Sequence, residues 1–393
     1  MSVRVGAGIS TAPDPLAGAA EAAELAAAGL AGRPVDLALV FAGGAHLAAP
    51  ETTLEGVHGT ISPGTLVGCG AGGVLGAGGV LGPGRELESG TAVAVWAAAL
   101  DGGEAHPFHA QVVGDDEDGI VEGLPEPHGD SGVIMLTDPY SLPADAVLAD
   151  LAEAAPGVPV LGGLSSARTI DGTAALFLDR TVVEQGAVGV RLTGVEMLPC
   201  VSQGAAPLGR EMTITAAESN VIHELAGRPA VETIEHVIGE LSIQERALVA
   251  AGLLIGIVVG GGKPDYEQGD FLVRGVLGAD PETGAVAVGA QVKAGQVVRL
   301  HARDARSADD DLRRELRLRT EAIGDRPPAG ALVFSCNGRG QAMFGHTDHD
   351  ATTLADILGG APSAGFFAAG EIGPVGGRSF LHAFTATVAI FPA

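Results

Sequence analysis

Short apolar runs recur along the chain, and most stop abruptly at glycine or small polar residues. Run 35–41 (VDLALVF) reads as a buried strand broken by Ala42, Gly43 and Gly44, with a helix expected to start near Glu51, Thr52 and Thr53. The next stretch, 65–84 (TLVGCGAGGVLGAGGVLGPG), is a short strand running into glycines, and 91–100 (TAVAVWAAAL) is a strand carrying Trp96. The theme then repeats. Run 132–137 (GVIMLT) leads into Asp138-Pro139 and a helix over 143–154, and 158–167 (VPVLGGLSSA) echoes 66–74. Segments 35–100 and 132–192 therefore read as an internal duplication, each a strand, helix, glycine-rich turn and strand. Segment 105–113 is a strand with His106 and His109, 114–130 an acidic, proline-bearing loop, and 177–192 a hairpin turning at Glu184, Gln185 and Gly186.

The second half has clearer punctuation. Before the first run, Asp14-Pro15 opens a surface helix; Pro229 opens another, with Ile234, Val237, Ile238 and Leu241 at helical spacing, and Ser242 with Glu245 forms a capping box for the next. Strands are expected at 253–259, 271–277, 286–292 and 297–300, the middle two joined by the polar loop 279–284 (ADPETG). Ser307 and Asp309–Asp311 are placed to cap an arginine-rich helix over 312–320. Then come 331–340 (ALVFSCNGRG), a helix near 354–358, 365–371 (GFFAAGE) and a final strand over 380–391. This is an α/β chain: a helix in 1–30, then two mixed α/β domains, 31–212 and 213–393, with glycine-rich strand–turn junctions.

Composition narrows the function. With 46% hydrophobic residues the chain can bury large cores, and 61 glycines against 4% aromatics imply close layers and tight turns. A formal charge of -26, with only Lys263 and Lys293 as lysines, excludes a basic face for nucleic acid or an anionic membrane. Three scattered cysteines, Cys69, Cys200 and Cys336, make no disulfide framework and no zinc spacing, so a reducing, cytoplasmic setting is expected. Residues 1–31 lack a basic leader, and the longest apolar run, 247–262, is short for a membrane span and dense in glycine.

Candidate chemistry gathers in ALVFSCNGRG. A buried strand delivers Ser335, Cys336, Asn337, Gly338 and Arg339 to a turn, where Asn-Gly permits positive φ, amides can face a guest, and Arg339 offers a fixed fork of donors for a carboxylate or phosphate. Cys336 reads either as an inert buried thiol or, lowered by neighbouring charge, as a nucleophile with His346, His349 or His382 as base. Gly68, Gly70 and Gly73, with Glu88 further on, match the spacing of a dinucleotide fingerprint; the competing reading is a plain strand-to-turn junction.

The segments 216–230 (AAESNVIHELAGRPA), 271–284 (FLVRGVLGADPETG), 295–304 (GQVVRLHARD), SCNGRG and 365–374 (GFFAAGEIGP) resemble the FIST C-terminal domain. VGCGAGGV, GGLSSA and GAVGVRL resemble the FIST N-terminal domain, so the resemblance covers nearly the whole chain. It implies a bacterial intracellular sensory module that binds amino acids or similar metabolites and signals through a partner or a homo-oligomer. Some members of the family are described as haem-binding gas sensors, in which case His382 is the candidate ligand; otherwise no cofactor and no metal is expected. On this reading a ligand ammonium meets Glu371 while its carboxylate meets Arg339, with Arg274 and Asn220 as second-rank wall residues. The alternatives are a salt bridge from Glu371 to Arg339 or Arg378, a Cys336-dependent enzyme, and a homo-oligomeric scaffold.

Overall fold

The computed structural model describes residues 3–114, 119–126, 129, 132–260, 262–263, 265–266 and 268–393. They fall into two compact units: Met1–Val201 with Leu312–Leu381 and Thr385–Ala393, and Ser202–Asp311 with His382–Phe384. In sequence the second interrupts the first, so the compact units do not divide at 212. Residues 1–30 hold a strand, Val3–Ser10, as well as the helix Pro15–Ala28 capped by Asp14.

In the first unit one path is traced three times, not twice. The first repeat runs Leu37–Gly43, helix Pro50–Ile61, Thr65–Gly70, hairpin Val74–Ala77 with Arg85–Leu87, and return strand Ala92–Leu100. The second runs Gly132–Thr137, helix Ala144–Ala154, Val160–Leu164, hairpin Leu176–Leu178 with Thr181–Val183, and Ala187–Thr193. The third runs Pro328–Cys336, helix His349–Ile357, Ser363–Ala368, hairpin Glu371–Val375 with Arg378–His382, and Thr385–Pro392. Within each repeat the strands flanking the helix are parallel and the return strand is antiparallel to the first.

The hairpins are exchanged in a cycle. The first repeat's hairpin joins the third repeat's sheet, Val74 opposite Phe366. The second's joins the first, Leu176 opposite Cys69, and the third's joins the second, Glu371 opposite Gly163. Each sheet is thereby completed by its neighbour, and the turns leading into the hairpins are brought together.

These strands read as continuous apolar runs because both their faces are covered. The inner faces share one core, with Phe41 and Trp96 from the first repeat, Ile134 and Val188 from the second, and Phe334, Phe366 and Phe391 from the third. Phe41 stacks on Phe366 at 5.0 Å between centroids, and Trp96 meets Phe391 at 5.2 Å. Each outer face packs against a helix of its own repeat.

Several expectations change. The hairpin in 177–192 turns at Asp179, whose φ is +50°, and the chain after Gly186 becomes the return strand Ala187–Thr193 of another sheet. The final strand is two, Arg378–His382 and Thr385–Pro392, broken at Phe384 with φ +65°, so side-chain alternation does not carry from His382 to Val388. The arginine-rich helix spans Ala305–Ala322; Asp304, not Ser307, takes the amide of Ser307. Strand Thr65–Gly70 runs into the hairpin strand Val74–Ala77 and not a helix, which removes the dinucleotide geometry. Part of 114–130 lies outside the described residues, and within it Ile120–Glu122 pairs as a strand with Gln111–Val113.

The second unit is a seven-stranded antiparallel sheet whose long strand Ala205–Glu218 also pairs with Val221–Leu225. Helix Ala230–Glu240 covers its core through Ile234 and Val237, and Ser242 with Glu245 forms the foreseen capping box. No helix among the described residues is long and apolar enough to cross a membrane.

Candidate functional site

The third repeat's first strand ends at Cys336, and the chain turns tightly through Asn337 and Gly338. The turn spends its own amides: Asn337 N–H donates to the Ala368 carbonyl at 2.9 Å, Arg339 N–H to the Cys336 carbonyl at 2.9 Å, and Gly338 N–H to Cys336 Sγ at 3.4 Å. The guest-facing amides expected here are therefore used internally. Positive φ appears at Gly340, at +107°, and not at Gly338.

Arg339 is 1% exposed, and its fork is directed mainly at a partner that sequence reasoning missed. Nε donates to Asp350 Oδ2 at 2.8 Å and Nη2 to Asp350 Oδ1 at 2.8 Å. Ser335 Oγ donates to Asp350 Oδ2 at 2.7 Å, and His349 Nδ1 lies 2.8 Å from Asp350 Oδ1. Burial alone would push Asp350 up, but the charge and hydrogen bonds of Arg339, with His349, hold it well below the usual carboxylate range. Phe344 packs between them, its ring 5.1 Å from the guanidinium and stacked on His349 at 3.4 Å.

One donor remains. Nη1 of Arg339 is buried without a hydrogen-bond partner. Arg339 lines a cavity of about 240 Å³ together with Gly72, Gly73 and Glu88 of the first repeat, Ser166 of the second, and Asn337 and Phe367 of the third. All three repeats contribute: the cyclic exchange of hairpins brings the segments after Thr65–Gly70 and Val160–Leu164 beside strand Ser363–Ala368, which pairs with Pro328–Cys336 and so adjoins the turn after it. Ser166 ties them: its Oγ accepts from Gly72 N–H at 2.9 Å and donates to the Phe367 carbonyl at 2.5 Å. Glu88 Oε1 accepts from Gln341 N–H at 2.8 Å. Its carboxylate lies beside Gly340, where a Cβ would sit 2.7 Å from the carboxyl carbon, but the φ of +107° is what favours glycine there.

Glu371 is close enough to feel Arg339 but does not line this cavity. It begins the hairpin strand Glu371–Val375, fully buried, and its Oε2 accepts from Thr385 N–H at 3.0 Å and Thr385 Oγ1 at 2.8 Å. Burial pushes its pKa up to about 8, against the hydrogen bonds from Thr385 and Cys336 and the charge of Arg339. Glu86, from the hairpin that the first repeat lends to the third, is another raised carboxyl. Burial and then the charge of Asp350 lift it to about 7, although it accepts from Ala351 N–H at 2.9 Å.

The structure thus gathers Ser335, Cys336, Asn337, Arg339 and Glu371 in one region of the first unit. Ser335 holds Asp350, Asn337 and Arg339 belong to the cavity wall, and Cys336, 6% exposed, interacts with both Arg339 and Glu371 but does not line the cavity. Arg274 and Asn220 belong to the second unit. Arg274 is buried on strand Phe271–Ala279, and Asn220 exchanges two hydrogen bonds with the backbone of Val288, Nδ2 to its carbonyl at 3.1 Å and N–H to the Asn220 carbonyl at 2.9 Å, which fixes strand register. His382 is 3% exposed at the end of Arg378–His382 and does not line the cavity. Asp350 could have been suspected from its place in the first turn of a helix beside a buried arginine. Gly73 and Glu88 were singled out for a different reason, the dinucleotide-like spacing, and Gly72, Ser166 and Phe367 carry no such signal, since their roles depend on the exchange of hairpins.

Comparison with known proteins places two domain descriptions in tandem along the chain. The FIST N domain description matches residues 36–228, and the FIST C domain description matches 230–374. The chain is 43% identical over 390 residues to an uncharacterized protein of Mycobacterium tuberculosis, covering 99% of this chain and 100% of that one. It is 41% identical over 393 residues to an uncharacterized protein of Mycobacterium bovis, covering 99% of each.

Proposed function

From the premise that this chain belongs to the FIST family, with a FIST N and a FIST C domain in tandem, we propose that it is a sensory protein whose small-molecule ligand occupies the cavity beside Arg339. FIST domains are associated with sensing in signal transduction. The observation that carries the reading is the buried Arg339, a residue of the cavity wall pinned by Asp350 through two nitrogens, with Nη1 left without a hydrogen-bond partner.

A guanidinium fixed in this way is pre-organised, so a ligand oxyanion gains a charge-assisted hydrogen bond without first ordering the side chain. About 240 Å³ admits a compact metabolite. An amino acid fits with one amendment: Glu88, which lines the cavity, takes the ammonium in place of Glu371. The signal then passes to a partner protein or through an oligomer in the cytoplasm.

Calorimetry against a panel of amino acids and compact carboxylates tests this. Saturable binding that Arg339→Lys weakens is expected; no heat from any member of the panel would contradict it.

A further inference from the structure

The first unit holds a second cavity, at the end of its sheets away from Arg339. In each repeat the return strand runs antiparallel to the first strand, so the start of one faces the end of the other: Leu37 opposite Ala98, Gly132 opposite Leu192, Pro328 opposite Pro392. The Arg339 turn follows the far end of such a first strand. At the near end lies a cavity of about 590 Å³, lined where all three return strands close or just past them: Leu100 in the first repeat, Val195 and Met197 in the second, Pro392 in the third. Every residue that lines it belongs to the first unit.

Floor and mouth differ in chemistry. Val3, Leu100, Val195 and Met197 are members of the shared core of the three repeats, so the floor continues that core. The wall also carries Asp101, Glu196 and Arg326, and each is paired. Arg326 takes both oxygens of Glu196, at 2.7 and 3.1 Å, and these hydrogen bonds hold the carboxyl below its ordinary range. Asp101 pairs with Arg33. Among the described lining residues no charge is left unpaired, so a charged ligand gives up water without gaining an ion pair.

We propose that this cavity is a second ligand site, which takes a neutral, mainly apolar molecule carrying one hydrogen-bonding group. The apolar body lies on the floor, where the Met197 thioether is an adaptable surface for rings, and the polar group meets the Glu196–Arg326 bridge at the mouth. A volume of about 590 Å³ is ordinary for a small-molecule site. This ligand differs in class from the compact oxyanion placed beside Arg339, and the site stands without that reading. Because all three repeats meet here, a bound molecule ties the ends of the return strands together.

The test uses the intact chain with isotope-labelled methionine methyl groups and two probes built on the same rings: phenylnaphthylamine, which is neutral, and anilinonaphthalene sulfonate, which is an anion. The neutral probe is expected to shift the Met197 NMR signal saturably while Met343, on the helix Gln341–Phe344 just after the Arg339 turn, stays in place. The sulfonate is expected to bind about tenfold more weakly. Glu196→Gln leaves Arg326 without its counter-charge, so there the sulfonate should gain about threefold, and in Arg326→Gln it should gain nothing. Both side chains are about half exposed, at 52% and 46%, so either change spares the fold. A Met197 signal that does not move, or that moves only together with Met343, would overturn the site. Sulfonate binding as tight as that of the neutral probe, or unchanged in Glu196→Gln, would overturn the neutral class of ligand.

Discussion

The second and third repeats each carry an Arg–Asp pair at the same end of their sheets, yet the two pairs are built and placed differently. Arg168 donates from Nη2 to both oxygens of Asp138, at 2.8 and 2.9 Å, and from Nη1 to the Gly172 carbonyl at 2.6 Å. Its side chain is 34% exposed and lies against Tyr140, 4.3 Å from the ring centroid. Arg339, a residue of the cavity wall, has a 0% exposed side chain, uses Nε and Nη2 on Asp350, and leaves Nη1 without a partner. Each pair leaves one buried nitrogen without a partner, Nε in Arg168 and Nη1 in Arg339. What differs is which nitrogens the carboxylate takes, whether a backbone carbonyl takes another, and how far the side chain is exposed.

The largest expected effect sharpens this contrast in stability. Asp350→Asn leaves a buried guanidinium without its counter-charge and should cost about 3–5 kcal/mol in urea unfolding. Asp138→Asn, where the arginine can turn to water, should cost about 1 kcal/mol. Equal losses would break the distinction. Binding comes next: Arg339→Lys should weaken a compact carboxylate about 10- to 100-fold by calorimetry, and Arg168→Lys should leave it unchanged.

A smaller effect is read from pH. Glu371 titrates near 8 and Glu86 near 7 in the folded protein, against 4.5 ordinarily. Between pH 4.5 and these values the native state holds more protons than the unfolded chain, so stability is greatest at the acid end of the window and falls as pH rises through 7 and 8. Thermal melts from pH 5.5 to 8.5 should show Tm declining, and Glu371→Gln should flatten the upper part of that decline. A Tm rising across this range in the wild type, with the variant parallel to it, would contradict the raised values. Smallest is Glu88→Gln, expected to weaken an amino acid about threefold relative to the matching carboxylate without an amine, because an exposed carboxylate contributes little to a pair.

Much of the fold was legible from apolar periodicity. The strands at 35–41, 91–100, 132–137 and 331–336 were readable because each is an unbroken apolar run ended by glycine or small polar residues, the pattern of a strand covered on both faces. The duplication was visible in the first half, but its third copy was not, since Ser202–Asp311 interrupts the first unit and the repeats share architecture more than residues. Arg339 was found because an arginine at the end of a buried strand has few bland explanations. The carboxylate expected near it was Glu371, across a ligand or as one alternative in a salt bridge, whereas the geometry pairs it with Asp350: which of two distant carboxylates reaches a guanidinium depends on helix His349–Ile357 and on a hairpin that crosses to another sheet.

The most direct measurement follows the guanidinium NMR signals of Arg339 and Arg168 in one sample as a compact carboxylate or amino acid is added. The account predicts that the Arg339 signals shift and saturate while those of Arg168 stay in place. If Arg339 fails to respond to any such ligand, or both arginines drift together without saturating, the open donor is not a binding site.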